Sequence, residues 1–228
     1  MAYLLGIETA TKVCSVAIFK NEQVIASKEV AGSYAHSEKL AVFVKELLEE
    51  SEIAFSELAA VLISKGPGSY TGLRIGVSFA KGLCYGLSIP LIAVDTLISM
   101  ACGAAASISK SEGYLCPMID ARRLEVYTAI YSMDLVQQEV IAAEILDERF
   151  AEKYLDAGKF YIFGDGATKA VEIIKHPNLV FLKTVLPSAV NLIKFGYDKY
   201  LKKSFEDLAY FEPFYLKEFI ALKSKKLI

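Results

Sequence analysis

The feature that most constrains the fold of this chain is an internal repeat in the order of its elements. LLGIETATKVCSVAIF at residues 4–19 and LCPMIDARRLEVYTAIY at residues 115–131 share one pattern: an apolar strand, an acidic residue at its end, a turn and another strand. Farther along each copy, VLISKGPGS and FYIFGDGAT both indicate a strand, a glycine turn and the start of a helix. The pattern predicts two copies of a β-β-β-α-β-α unit.

Hydrophobic periodicity places the elements of both copies. In the first copy it predicts strands at 3–8, 13–19 and 23–30, a helix at 37–50, a strand at 59–64, a helix from about 70 to 85, a strand at 89–94 and a helix from Thr96. In the second copy it predicts strands at 114–119, 125–131 and 138–145, a short helix near 148–154, a strand at 159–163, a helix at 168–175, a strand at 180–182 and a helix at 188–202.

This order is typical of an α/β protein with two ribonuclease-H-like subdomains, each a mixed sheet flanked by helices, that face each other across a cleft. We place the first subdomain at residues 1–106 and the second at 107–228, and we expect the helix at 188–202 to pack back onto the first. A single open α/β sheet would give much the same pattern, so the repeat alone leaves both arrangements open.

Composition limits the function classes. The 228 residues include 25 basic and 27 acidic side chains, so no global charge draws the chain to nucleic acid or to an acidic membrane. The four cysteines lie far apart, which favours reduced, buried thiols in a cytoplasmic protein. The start of the chain has no signal-peptide pattern, and Pro90 and Asp95 interrupt its most apolar window, so we expect no membrane span.

The stretch GPGSYTGLRIG, from Gly66 to Gly76, resembles a phosphate loop only in part. A Walker loop needs lysine after its last glycine, but Leu73 and Arg74 follow Gly72. A dinucleotide turn needs G-x-G-x-x-G, and these glycines miss the third position by one. We favour a tight turn with close packing, with Ser69 or Thr71 capping the helix, and keep a weak anion site at the helix start as the alternative.

The helix after this loop carries small residues at regular spacing. Gly72, Gly76 and Ala80 lie four residues apart and share one face, and Gly82 and Gly86 form a second pair. Each helical glycine costs about 1 kcal/mol relative to alanine. A second helix at short distance would offset that cost. Because the helix is apolar around much of its circumference, it is either central in the subunit or shared with another chain.

Candidate catalytic groups are sparse. Actin-like ATPases and sugar kinases carry Asp-x-Gly-Thr in the first hairpin, whereas this chain has Glu8-Thr9-Ala10-Thr11, with alanine where the glycine would let a phosphate approach. Arg122 and Arg123 could hold an anion, but an exposed turn or pairing with Glu125 is the favoured interpretation. His36 lacks a partner one helical turn away, so packing or capping is favoured over metal binding.

Several stretches resemble the TsaB family, also called YeaZ. SKGPGSYTGLRIGVSFAKGL at residues 64–83 is the most specific, and LLGIETATKVCSVAIF, HSEKL, MIDARRLEVYTAIY, FGDGA and EPFYLKE support it. Near the C-terminus Lys217 stands where the family usually has arginine. The resemblance implies a bacterial, cytoplasmic member of the actin-like ATPase (ASKHA) superfamily that has lost parts of the active site.

The resemblance also implies a function. TsaB proteins are needed to make threonylcarbamoyladenosine beside the tRNA anticodon: TsaC-type enzymes make threonylcarbamoyl-adenylate, TsaD transfers the group to tRNA, and TsaB holds TsaD, joined by the ATPase TsaE. The expectation is a non-catalytic scaffold that forms homodimers, binds TsaD and TsaE, reaches tRNA only through the complex and holds no cofactor or metal of its own. A nucleotide shared at the boundary with TsaD stays open.

We predict that helices 37–48 and 70–85 form one surface for homodimerisation and for TsaD. The predicted interface residues are Leu40, Phe43, Val44, Leu47, Tyr70, Thr71, Gly72, Arg74, Ile75, Gly76, Phe79, Ala80 and Leu83. On this hypothesis, leucine at Gly72 or Gly76 would disrupt TsaD binding and leave the fold intact. The alternative functions are an actin-like ATPase or small-molecule kinase, and a glycoprotease-like metal hydrolase.

Overall fold

The computed structural model describes residues 2–32, 35–108 and 112–217. Its first sheet has the strand order β3-β2-β1-β4-β5. The strands are β1 (Tyr3–Glu8), β2 (Val13–Lys20), β3 (Gln23–Ala31), β4 (Leu58–Ser64) and β5 (Leu91–Val94). β1 pairs antiparallel with β2 and parallel with β4, so the sheet is mixed. The hairpin half and the crossover half therefore meet at β1.

The second sheet repeats this topology. Its strands are β6 (Tyr114–Asp120), β7 (Glu125–Ser132), β8 (Gln137–Ile145), β9 (Phe160–Phe163) and β10 (Leu179–Leu182). Their order, β8-β7-β6-β9-β10, is the order of the first sheet with each strand replaced by its counterpart. Since the described strands form two sheets of five, the predicted pair of ribonuclease-H-like units is confirmed and the single open sheet is wrong.

Six α-helices lie within the described residues. They are α1 (Ala35–Glu50), α2 (Tyr70–Leu87), α3 (Thr96–Ser107), α4 (Glu152–Ala157), α5 (Ala167–Ile173) and α6 (Ile193–Leu201), with short 3-10 turns at Phe55–Glu57 and Ala189–Leu192. α1 and α2 cover one face of the first sheet, where Leu47 and Val77 join a core with Ile7 and Val61. None of these helices is both long and apolar enough to cross a membrane.

The third helix of each half packs on the sheet of the other half. α3 buries Leu97 and Met100 against Leu115 and Ile119 of β6. In return, Ala189 and Leu192 before α6 are buried against the first sheet, and α6 itself contacts β4 and β5. Each sheet is therefore covered partly by residues from the opposite half of the chain.

Candidate functional site

The glycine-rich loop between β4 and α2 holds the first hairpin loop, at residues 9–12. Ser69 N donates to Ala10 O at 2.6 Å, and Ser69 caps α2 because its Oγ accepts from Gly72 N at 3.2 Å. A Cβ at Gly68 would overlap Ala10 O, and one at Gly72 would overlap Thr9 O. The favoured interpretation, a tight turn with close packing, is therefore correct in form.

The partner that these glycines accommodate differs from the predicted one. A Cβ at Gly76 would overlap Thr9 Oγ1, so Gly72 and Gly76 make room for the hairpin loop and not for a second helix. Leucine at either position would push Thr9 of the same subunit out of its place. The expectation that such variants keep their fold is therefore wrong.

Six of the predicted interface residues face the interior of their own subdomain. Three belong to α1 and three to α2, and all are buried: Leu40, Val44, Leu47, Gly72, Gly76 and Ala80. Their contacts are with the first sheet and the hairpin loop, so they are not available to a partner in this conformation. These six residues are therefore removed from the predicted interface.

The other predicted residues lie at or near the surface. Thr71 and Arg74 are exposed, whereas Phe43, Tyr70, Ile75, Phe79 and Leu83 are half-buried. Among the half-buried group, the side chains at positions 43, 75, 79 and 83 pack at the edge of the first core. These seven residues keep the location that an interface requires.

An outer stripe of α2 points away from the core. We call it the α2 outer face, and it comprises Thr71, Arg74, Ser78, Gly82 and Tyr85, spaced by three or four residues so that they share one side of the helix. Tyr85 is 82% exposed, and nothing lies within 4 Å of a Cβ built on Gly82. The subunit's own packing therefore requires neither the ring at 85 nor the glycine at 82.

The neighbouring helix α1 also exposes an apolar side chain. α1 packs along α2 and exposes 42% of Val42. Gly86, like Gly82, has open space where a Cβ would be. Position 42 and the ring at Tyr85 were missing from the predicted set, although the Gly82 and Gly86 pair was a signal for that end of the helix.

The C-terminal segment, residues 204–217, covers the other flank of α2. Lys81 Nζ donates to Ala209 O and to Phe211 O, at 3.2 and 3.0 Å. The rings of Tyr215 and Tyr70 lie with centroids 4.9 Å apart. With α1 on one side and this segment on the other, the α2 outer face is the side left open to a partner.

Glu8 is a fully buried carboxyl group at the end of β1. Its Oε1 accepts from Ala10 N at 2.6 Å, and Oε2 has no hydrogen bond within the described residues. Burial raises its pKa to about 7, and the nearby Ala10 and Thr9 amides and Ser64 hydroxyl lower it by less. The group thus titrates near neutrality.

Glu8 should make stability depend on pH. Because its folded-state pKa is above its unfolded value of 4.5, the stability that it supports below pH 4.5 is lost as pH rises through about 7. We expect unfolding free energy to fall by about 2 kcal/mol between about pH 5 and pH 8, and this fall to vanish in Glu8→Gln. Urea denaturation of both proteins across this range tests it; equal pH profiles would contradict it.

The turn between β6 and β7 and the start of α5 bring several charged groups together. Asp120 Oδ1 accepts from Lys169 Nζ at 2.7 Å and from Arg122 N at 2.6 Å. Burial opposes these bonds, but they lower the pKa of Asp120, whereas burial raises the pKa of Asp165. The positive charge of Lys12, in the first hairpin, adds a smaller lowering of the pKa of both carboxyl groups.

The remaining predicted groups have structural contacts. Arg122 and Arg123 occupy an exposed turn with positive φ angles, while Glu125 pairs with Lys217. His36 Nε2 donates to Val13 O at 3.1 Å, and burial lowers its pKa. No three His, Cys, Asp or Glu side chains in the described part of the chain are placed to hold a metal.

Comparison with known proteins identifies the family of this chain. The family model described as "TsaD: tRNA N6-adenosine threonylcarbamoyltransferase" matches residues 23–211. The "tRNA threonylcarbamoyladenosine biosynthesis protein TsaB" of Escherichia coli is 30% identical and aligns over 96% of both chains. The chain belongs to the TsaB family. Its match to the TsaD model places it in that wider family as well.

Further members of the TsaB family agree. The Haemophilus influenzae TsaB protein is 28% identical over 96% of this chain and 95% of its own. The solved structure "YeaZ from Pseudomonas aeruginosa" is 26% identical, covers 95% of this chain and 100% of its own, and gives a TM-score of 0.81. The resemblance drawn from residues 64–83 and the α/β fold class are thus confirmed.

Proposed function

We propose that this chain acts in tRNA threonylcarbamoyladenosine biosynthesis as a non-catalytic subunit in the cytoplasm. It binds the TsaD transferase through the α2 outer face and the adjoining part of α1, and TsaE joins this complex. A second copy of the chain uses the same face in a homodimer. Membership of the TsaB family supports the pathway, and the geometry of α2 supports the mode of action.

The observation that carries this proposal is the surface of α2 around Tyr85. Gly82 and Gly86 flank a ring that is 82% exposed, and both have open space where a Cβ would lie. Small residues let another helix approach closely, and an exposed tyrosine is a frequent anchor at interfaces. Each helical glycine costs about 1 kcal/mol relative to alanine, which contact with a partner offsets.

The first hairpin supports a role other than nucleotide chemistry. The residues that would approach a phosphate, Thr9 and Ala10, are packed against Gly68 and Gly72 at the start of α2. Ser69 N, one of the amides there, already donates to Ala10 O. The hairpin loop and the glycine-rich loop therefore pack against each other and fix the start of α2, as a non-catalytic subunit that binds through α2 would need.

Reconstitution tests the proposal. Purified TsaC, TsaD and TsaE are supplied with threonine, bicarbonate, ATP and tRNA, with and without this chain, and threonylcarbamoyladenosine is measured by mass spectrometry of the digested tRNA. We expect modification only when the chain is present, and none from the chain alone. Full modification in its absence, or turnover of ATP by the isolated chain at an enzyme-like rate, would overturn the proposal.

A further inference from the structure

A cavity of about 350 Å³ lies where the chain returns from the second sheet to the first. Its walls come from β2, β3, α3 and the connector at residues 183–188. The lining residues include Val13, Glu29, Gly103, Leu186 and Asn191. Its volume lies at the lower end of the range for small-molecule sites, which often occur where two units of a protein meet. It is separate from the α2 outer face.

The carboxylate of Glu29 is held in place at this cavity. Its Oε2 accepts from Ser188 Oγ at 2.9 Å and from Ser15 Oγ at 3.3 Å. Ser15 Oγ in turn accepts from Ala189 N at 3.0 Å. The carboxylate is therefore oriented by β2 and by the connector. The Glu29 side chain is exposed, and its Oε1, which makes no hydrogen bond within the described residues, is open to solvent and to a ligand.

Asn191 presents a second polar group at the cavity, and a helical glycine makes room for it. Gly103 lies within α3, where glycine costs about 1 kcal/mol relative to alanine. A Cβ there would overlap the Asn191 carboxamide at Nδ2. This carboxamide is half-buried and makes no hydrogen bond to the described parts of the chain. The amide therefore has hydrogen-bonding capacity that a bound molecule could use, at a position that only glycine at 103 permits.

The chemistry of the lining selects the ligand. It offers a carboxylate, a carboxamide and the hydroxyls of Ser107, Thr184 and Ser188, and among the residues that the structure describes no lysine, arginine or histidine lines it. Val13, Val185, Leu186 and Pro187 supply apolar wall. An anion would meet the carboxylate without a compensating cation, whereas an ammonium group would gain charge-assisted hydrogen bonds.

We propose that this cavity binds a small molecule that carries a primary ammonium group on a short hydrocarbon chain. The ammonium donates to Glu29 Oε1 and to Asn191 Oδ1, and the hydrocarbon lies against the apolar wall. The proposed scaffold function does not require this site, so the test of ligand binding and the test of that function are independent.

The test uses three probes with one carbon skeleton: butylamine, 1-butanol and butyrate. Each is titrated at millimolar concentrations into the isotopically labelled full chain, and amide chemical shifts are followed by NMR. We expect saturable shifts at the lining residues with butylamine, weaker binding of butanol and the weakest of butyrate. Butyrate binding as tightly as butylamine, or butylamine shifts confined to other regions, would overturn the proposal on the unaltered protein.

Variants then locate the ammonium. Glu29→Gln keeps hydrogen-bonding capacity and removes the charge, so butylamine affinity should fall about tenfold while butanol affinity is unchanged. Asn191→Ala should weaken butylamine binding with Glu29 intact, which covers the case in which the change at 29 disturbs folding. Glu144→Gln, an exposed acid of β8, is the matched control and should have no effect. Wild-type affinity in both site variants would place the amine elsewhere.

Discussion

Replacing Gly82 with arginine is expected to weaken association with TsaD at least about 100-fold and to leave the free subunit at least as stable as the unaltered protein. The arginine side chain would stand on the α2 outer face beside Tyr85 and hold a partner helix away. Because nothing lies within 4 Å of a Cβ at this position, the subunit itself has room for the change. Surface plasmon resonance with immobilised TsaD measures the affinity, and thermal unfolding measures the stability.

Gly158→Arg is the matched control for this experiment. It makes the same change at another glycine with open space around its Cβ position, at the end of α4 in the second subdomain. It should bind TsaD as the unaltered chain does. If Gly82→Arg also binds normally, the α2 outer face is not the docking surface. If both variants fail to bind, the effect reflects added charge and not the location.

Replacing Gly72 with alanine is expected to destabilise the chain by about 3 kcal/mol, at the upper end of the usual cost of overpacking. The added Cβ would overlap the backbone oxygen of Thr9, which no side-chain rotation relieves. The hairpin loop would then move off the start of α2 and strain the bond from Ser69 N to Ala10 O. Urea denaturation followed by circular dichroism gives the change.

The control for this prediction lies on the same helix. Gly82→Ala should stabilise the chain by up to about 1 kcal/mol, because alanine favours helix and meets no neighbour there. Opposite signs at positions 72 and 82 would show that two glycines of one helix have different reasons to be glycine. Unchanged stability in Gly72→Ala would mean that the hairpin loop does not pack as described.

Local pattern was sufficient to predict most elements. Apolar runs located β1 and β2 within a residue of their observed ends. The hydroxyl residues before an apolar helix left Ser69 and Thr71 as candidate caps, and in the structure the cap is Ser69. The short helix near 148–154 was placed too early. Asp147 binds the amide of Arg149 and the backbone turns through Phe150, so the helix begins at Glu152. Aspartate favours such turns over helix.

The candidate site was harder to predict, because the spacing of small residues along a helix does not show what packs against them. Gly72, Gly76 and Ala80 would be spaced identically whether they faced a helix or a loop, and only the fold shows that the hairpin at Thr9 occupies that side. Likewise an apolar stripe shows that Leu40 and Val44 are covered, but not by which surface. Tyr85 was missed because a single exposed ring leaves no periodic signal.

The exchange of α3 and α6 between the two sheets has a mechanical consequence. Two-lobed enzymes of this general shape close around substrates by rotating one lobe about a hinge. Here such a rotation would pull Leu97 and Met100 away from β6, and Leu192 away from the first sheet. It would expose their apolar surface to water, which raises the free energy of the open form. Opening of the two halves is therefore opposed by both cores, and the first sheet and the helices on it keep one arrangement relative to the second sheet.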